Sequence, residues 1–306
     1  MIRIDATAVP RRLVVLGAAL GLTVLRGPLA AQAPTPNTAG PQAMFSARVD
    51  SVRVDVEVRR GGTPVAGLTG ADFEILDNGV PQRVELMSPT ALPLNIVLAL
   101  DGSASLDAKE REHLIAAGGR VIDALRGDDK AALLTFADHV SILTAFTGDA
   151  WRLRELVAAR MEGGDTALYD AAHVAMLIGA AARGRPIVIL FSDGEDTASV
   201  LTGDTVVDTA RRTGAVVCAV ALGEPGPVLP RLAEVTGGVF VKETSLNKVA
   251  ARFGEILEGF RRRYLVSFTP TGVARDGWHT LSVKVKGGGD VRARSGYWAD
   301  PAAANP

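Results

Sequence analysis

The chain predicts an α/β fold: a doubly wound, mostly parallel sheet with helices on both faces, flanked by an antiparallel β-sandwich-like unit made from the N- and C-terminal segments. Three observations predict it. Apolar runs at residues 96–100, 186–191 and 216–222 are short enough for strands and too uniformly hydrophobic for a sheet with one wet face. Segments of helical periodicity separate them, and strand–helix–strand repeats demand right-handed crossovers in a parallel sheet. Strict period-two alternation is confined to the two ends of the chain.

With 306 residues, 47% hydrophobic and 22% charged, the chain is long enough for one large domain or two smaller ones. The net charge is -1, so a nucleic acid is not the expected partner, because phosphate binding needs a concentrated basic face. The one dense basic run, Arg261, Arg262 and Arg263, reads as a solvated helix end. The sole cysteine, Cys218 in AVVCAVAL, reads as a buried thiol rather than a disulfide partner.

The elements follow in order. Arg11 and Arg12 precede an apolar run at residues 13–25, followed by Pro28 and small residues, so residues 1–31 read as an export signal too short to span a bilayer. Cleavage after Ala31 leaves no membrane span; an uncleaved anchor is the alternative. Export without disulfides fits a bacterial periplasm, cell surface or secreted location. Residues 32–46, Pro-rich and without periodicity, read as a flexible linker.

Residues 47–90 form the first β segment. Val52, Val54, Val56 and Val58 alternate with Arg53, Asp55, Glu57 and Arg59, a half-buried strand, and Asn78-Gly79 marks a hairpin turn. Residues 91–262 form the α/β domain. Its helices are expected at residues 107–126, 150–160, 167–182, 203–213, 228–236 and 246–262, each with one apolar face. The helix at 167–182 is packed on the sheet rather than in a membrane, given Tyr169, Asp170 and His173. Residues 263–299 return to alternation, with a Gly-rich turn at 287–289 and a short tail at 300–306. Two β segments flanking one domain must bury their apolar faces, and pairing with each other is the economical solution.

The chemistry concentrates where two buried strands end. LNIVLALDGSASL, residues 94–106, runs from a strand into Asp101, Ser103 and Ser105; GGDTALYDA, residues 163–171, places Thr166 before a helix; PIVILFSDGEDT, residues 186–197, ends a second buried strand in Asp193. Open α/β sheets bind ligands at the carboxyl edge, and hard divalent cations take oxygen ligands, with Mg²⁺ keeping waters and only one or two carboxylates. Each residue also has an ordinary alternative: helix capping for Ser103 and Ser105, an N-cap for Thr166, a turn for Asp193.

The ordered set DxSxS, Thr, Asp resembles the metal-ion-dependent adhesion site of the von Willebrand factor A domain family, over roughly residues 92–262. That resemblance implies that Asp101 acts largely through water or a hydrogen bond. Ser103, Ser105 and Thr166 would coordinate Mg²⁺, Mn²⁺ or Ca²⁺ directly, and Asp193 would hold the opposite side. It implies a non-enzymatic exported protein whose metal is completed by an Asp or Glu carboxylate of a protein partner. Phrases such as GLTGADFEILDNGVPQ and RSGYWA are similar to those bracketing the A domain in bacterial exported relatives.

Two other functions are weighed against it. A Mg²⁺-dependent phosphatase using Asp101 as nucleophile lacks the second aspartate of a DxD start, and a metal-stabilised scaffold needs no partner. Glu195 and Asp196 read as a solvated acidic loop, and Asp170 as a residue bonding locally. The four histidines, His113, His139, His173 and His279, have no zinc-ligand spacing. Phosphate-loop and nucleophile-elbow motifs are missing from the sequence.

Overall fold

The computed structural model describes residues 51–87, 92–104, 107–159, 163–192, 195–222 and 226–299. The expected export signal, linker and C-terminal tail, and the candidate ligands Ser105 and Asp193, lie outside the described residues.

The first β segment gives β1 (Val52–Arg60), β2 (Thr63–Pro64), β3 (Phe73–Asp77), β4 (Val80–Gln82) and β5 (Glu85–Met87). Asn78 and Gly79 both take positive φ, 46° and 83°, the pairing that lets a two-residue turn follow the twist of a hairpin. The α/β part then gives β6 (Leu94–Asp101), α1 (Ala108–Asp123), β7 (Lys130–Phe136), β8 (Val140–Thr147), α2 (Ala150–Ala159), α3 (Leu168–Ala180) and β9 (Arg185–Ser192). It continues through α4 (Gly203–Arg212), β10 (Val216–Leu222), α5 (Val228–Thr236), β11 (Phe240–Glu243) and α6 (Val249–Arg261). The chain returns to the β unit as β12 (Tyr264–Phe268), β13 (Gly277–Val285), β14 (Asp290–Arg292) and β15 (Gly296–Ala299).

The six-stranded sheet has the order β11-β10-β9-β6-β7-β8, parallel throughout except for the β7–β8 pair. Its central strand explains the unbroken apolar run. Leu94, Ile96, Leu98 and Leu100 enter one core with α1, α2 and α6, while Val97 and Ala99 enter a second with α3, α4 and α5. A strand covered on both faces has room for polar side chains only near its two ends, here Asn95 and Asp101. Cys218 on β10 is a free buried thiol, and burial pushes its pKa up. No helix among the described residues is long and apolar enough to cross a membrane.

The β unit consists of two antiparallel sheets, β14-β1-β12-β5 with β2 beside β1, and β15-β13-β3-β4. Each mixes strands from both ends of the chain. β1 pairs with β12 through Val54↔Val266, and β13 with β3 through Val283↔Ile75. Val54, Val56, Ile75, Val266 and Phe268 form the shared core.

Buried arginines fasten this unit to the α/β part. Arg185, at the start of β9, pairs with Asp55 of β1, at 2% and 11% side-chain exposure. Arg294 donates to the Arg211 and Thr213 carbonyls, at 3.3 and 3.1 Å, satisfying the C-terminal end of α4; burial lowers its pKa to about 10. The basic run also departs from expectation. Arg261 pairs with Asp129 at 2.7 Å, and Arg263 is 2% exposed and donates to the Gly237 carbonyl at 2.7 Å. Only Arg262 lacks such a buried role, because the helix end packs between the two parts instead of facing water.

Candidate functional site

The sheet order creates the site. From β6 the chain crosses through α1, on one face, to β7; from the adjacent β9 it crosses through α4, on the other face, to β10. The loops leaving β6 and β9 therefore diverge and open a crevice at their carboxyl ends, the topological switch point where doubly wound sheets hold ligands. The register aligns Leu100 with Phe191, so Asp101 lies beside Ser192.

Asp101 is fully buried there. Its Oδ1 accepts the Ser103 amide at 3.0 Å, and its Oδ2 accepts the Ser192 hydroxyl at 2.8 Å. The loop after β6 is sewn to the loop before α3 by two backbone bonds: the Ala104 amide to the Gly164 carbonyl, and the Gly163 amide to the Gly102 carbonyl, at 3.0 and 2.9 Å. Gly163 and Gly164 take φ of 70° and 116°, conformations that side-chain-bearing residues rarely adopt. The Ala167 amide donates to the Ala137 carbonyl at 2.6 Å, and the Thr166 carbonyl accepts the Thr197 and Ala198 amides at 2.9 and 3.1 Å. Thr166 is thereby held between the β7–β8 turn and the loop after β9.

The structure thus brings Asp101, Ser103 and Thr166 onto one edge, all buried. Their capping alternatives are taken by other groups. The N-cap of α1 is Asp107, which accepts the Glu110 amide while Glu110 returns to the Asp107 amide, both at 2.8 Å; this capping box leaves Ser103 no capping task. The N-cap of α3 is Ala167, without a side-chain cap, so Thr166 is not a capping residue.

Several residues that anchor the site read differently in sequence. Ser192 looks like one more buried strand residue until its hydroxyl is seen on Asp101. Asp170 does not bond locally; its two oxygens accept the Val200 and Leu201 amides at 3.1 and 3.0 Å. Asp196 is no solvated charge either, since it accepts the Tyr169 amide at 3.0 Å and the Ser199 hydroxyl at 2.5 Å. Together they strap the loop after β9 onto α3. Burial, then Asp196 and Glu195, raise the Tyr169 phenol above its ordinary pKa.

A divalent cation fits this donor set. One buried carboxylate and two buried hydroxyl side chains, on loops held by backbone bonds, are hard oxygen donors with few negative charges. Among the described residues no group of three or more His, Cys, Asp or Glu side chains gathers to hold a metal.

Residues 96–195 match the family model for the von Willebrand factor type A domain. Among solved structures, a von Willebrand factor type A protein from Catenulispora acidiphila aligns with a TM-score of 0.50 at 13% identity, over 85% of this chain and 76% of that one. Proximal thread matrix protein 1 from the mussel byssus, with a zinc-occupied MIDAS motif, also aligns at 0.50, with 18% identity over 60% of this chain. The match covers 49% of the mussel protein, about half its length. A comparison with curated proteins finds no match. Residues 96–195, within the α/β part of the chain, thus carry a von Willebrand factor type A domain match, and the two solved structures share its fold.

Proposed function

We propose that the chain is an exported, non-enzymatic binding protein that grips a carboxylate of a protein partner through a divalent cation. Asp101, Ser103 and Thr166 would hold the ion together with Ser105 and Asp193, which lie outside the described residues. The bound cation would supply a Lewis-acidic position for one more oxygen. The chain's own part is to fix the donors. The Ser103 amide and the Ser192 hydroxyl orient Asp101, and the strapped loop after β9 keeps Thr166 in place.

One observation carries this reading. Asp101, Ser103 and Thr166 are buried at the switch point, and the helix ends that Ser103 and Thr166 could cap are met instead by Asp107 for α1 and by Asp196 and Ser199 for α3. Buried hard-oxygen side chains gathered at the switch point of a doubly wound sheet are what a divalent-cation site requires. Zinc at the MIDAS motif of the mussel protein supports a divalent ion, with Mg²⁺, Mn²⁺ and Ca²⁺ as the candidates here.

Titration calorimetry with Mg²⁺ and Mn²⁺ after chelation tests the proposal. Saturable binding is expected in the wild type and none in Asp101→Ala, with unfolding of the variant remaining cooperative. Equal binding in both proteins would remove Asp101 from the site, and no heat from either ion in the wild type would reduce the assignment to a shared fold.

A further inference from the structure

Away from the metal edge, charge is most crowded where α6 meets the β unit. A cavity of about 250 Å³ opens there between β11, α6 and β1, with Val241, Ile256 and Phe260 among its apolar walls. An adjoining cavity of about 390 Å³ shares Glu57, Arg59 and Glu255 with it.

The charges around this cavity do not balance. Glu57 serves three arginines: Arg59 Nε lies 2.6 Å from its Oε1, while Arg292 Nη1 and Arg263 Nη2 lie 3.2 and 3.6 Å from its Oε2. Arg252 is already matched by Glu243 and Glu255, and so relieves none of the demand on Glu57. Taken together, the four guanidiniums of Arg59, Arg252, Arg263 and Arg292 face the three carboxylates of Glu57, Glu243 and Glu255, which leaves one positive charge in excess.

Arg263 is the one that has left water. Its side chain is 2% exposed, and its buried Nε has no hydrogen-bond partner among the described residues. Its approach to Glu57 is longer than a hydrogen bond. A buried guanidinium with a spare donor, beside an overcommitted carboxylate, is costly unless a further anion completes it.

We propose that this cavity is a second binding site, for a small molecule with an anionic head and an apolar body. The head, a carboxylate or a phosphate ester, is held by Arg59, Arg263 and Arg292, whose planar guanidiniums suit two-oxygen anions. The body lies against Val241, Ile256 and Phe260. The site is independent of the metal edge, and part of its lining comes from β1 and β14, outside the α/β part.

The test is titration calorimetry of the full chain with 4-phenylbutyrate and phenyl phosphate as probes, 4-phenylbutanol as the neutral isostere and inorganic phosphate as the bare anion. Saturable binding of at least one of the first two is expected. It should be about tenfold tighter than binding of 4-phenylbutanol or inorganic phosphate, and about tenfold weaker in both Arg292→Gln and Arg59→Gln. The tighter probe names the head group. Arg292 and Arg59 are 50% and 43% exposed, so both variants should fold, and an unchanged thermal midpoint confirms that. Absence of saturable binding by either organic anion overturns the site. Equal affinity for the alcohol overturns the anionic head, and equal affinity for inorganic phosphate overturns the apolar body. Binding that survives both substitutions overturns the location.

Discussion

The two sheet systems of this chain treat buried polar groups in opposite ways. In the α/β part, the middles of the central strands are apolar and buried polar side chains lie toward the ends, with Asp101, Ser103, Thr166 and Ser192 at the carboxyl edge and Asn95, Asp129 and Arg185 at the amino edge. In the β unit, Asp77, His279 and Tyr297 lie inside the fold on three adjacent strands. Asp77 Oδ1 is 2.8 Å from His279 Nδ1, and its Oδ2 accepts the Tyr297 hydroxyl at 2.7 Å. His279 faces Tyr297 directly across the β13–β15 pair. A strand packed on both faces offers a polar side chain no partner except at its end, where loops bring hydroxyls and amides. An antiparallel pair places polar partners opposite one another along its length. The lesson is that buried polarity in the first sheet is pushed to the edges, where loops meet, whereas in the second it serves to hold three strands together.

The comparison breaks most severely if polarity is forced into the first sheet. Leu98→Asn puts an amide between two apolar cores, and a loss of about 4 kcal/mol or more is expected in urea unfolding. A loss under about 1 kcal/mol would mean the sheet interior tolerates polarity after all. Asp77→Ala comes next: it removes the shared acceptor of His279 and Tyr297 and is expected to cost about 3 kcal/mol. The metal response should be unchanged, because the two polar clusters are separate.

Ser192→Ala should show the reverse profile. Loss of the hydroxyl that orients Asp101 should weaken Mg²⁺ or Mn²⁺ binding about tenfold, as supporting hydrogen bonds around metal ligands do, while stability changes by about 1 kcal/mol. A large loss of stability with metal binding retained would make this edge structural.

The smallest effect concerns pH. Burial first, then the hydrogen bond and charge of Asp77, hold the Tyr297 phenol well above its ordinary pKa of 10.0. A phenol that keeps its proton longer in the fold than in the unfolded chain contributes stability that is complete below pH 10 and declines as pH rises above it. Tyr297→Phe should therefore cost about 1 kcal/mol at roughly pH 8 and progressively less toward roughly pH 11. A gap that stays constant across that range would show that Tyr297 titrates alike in both states.

Much of the carboxyl edge is legible in the chain because its causes are local. An apolar run marks a strand by its length, the residue after the run must sit at the sheet edge, and DGSAS and GGDT announce turns before helices. That places Asp101, Ser103 and Thr166 at the edge, and the resemblance to the von Willebrand factor A family is what singles them out as ligands. The supports are not legible in this way. Ser192 reads as core because only the register of β6 against β9 sets it beside Asp101. Asp170 reaches amides 30 residues away, an encounter created by loop docking. Arg263 closes a charged helix end in sequence, and becomes buried because Gly237 and Glu57, both distant in the chain, meet it in the fold.

By itself, then, the sequence determined which segments are strands and helices, which strands are buried on both faces, and which oxygen-bearing residues stand at their ends, since these depend on periodicity, turn chemistry and hydrophobicity within a few residues. Only the tertiary structure decided which polar groups pair and which charges are left in excess. Asp101 with Ser192, Asp77 with His279 and Tyr297, and three arginines around Glu57 are all meetings of residues distant in the chain. Burial and partnership belong to packing, and packing is settled between elements rather than within them.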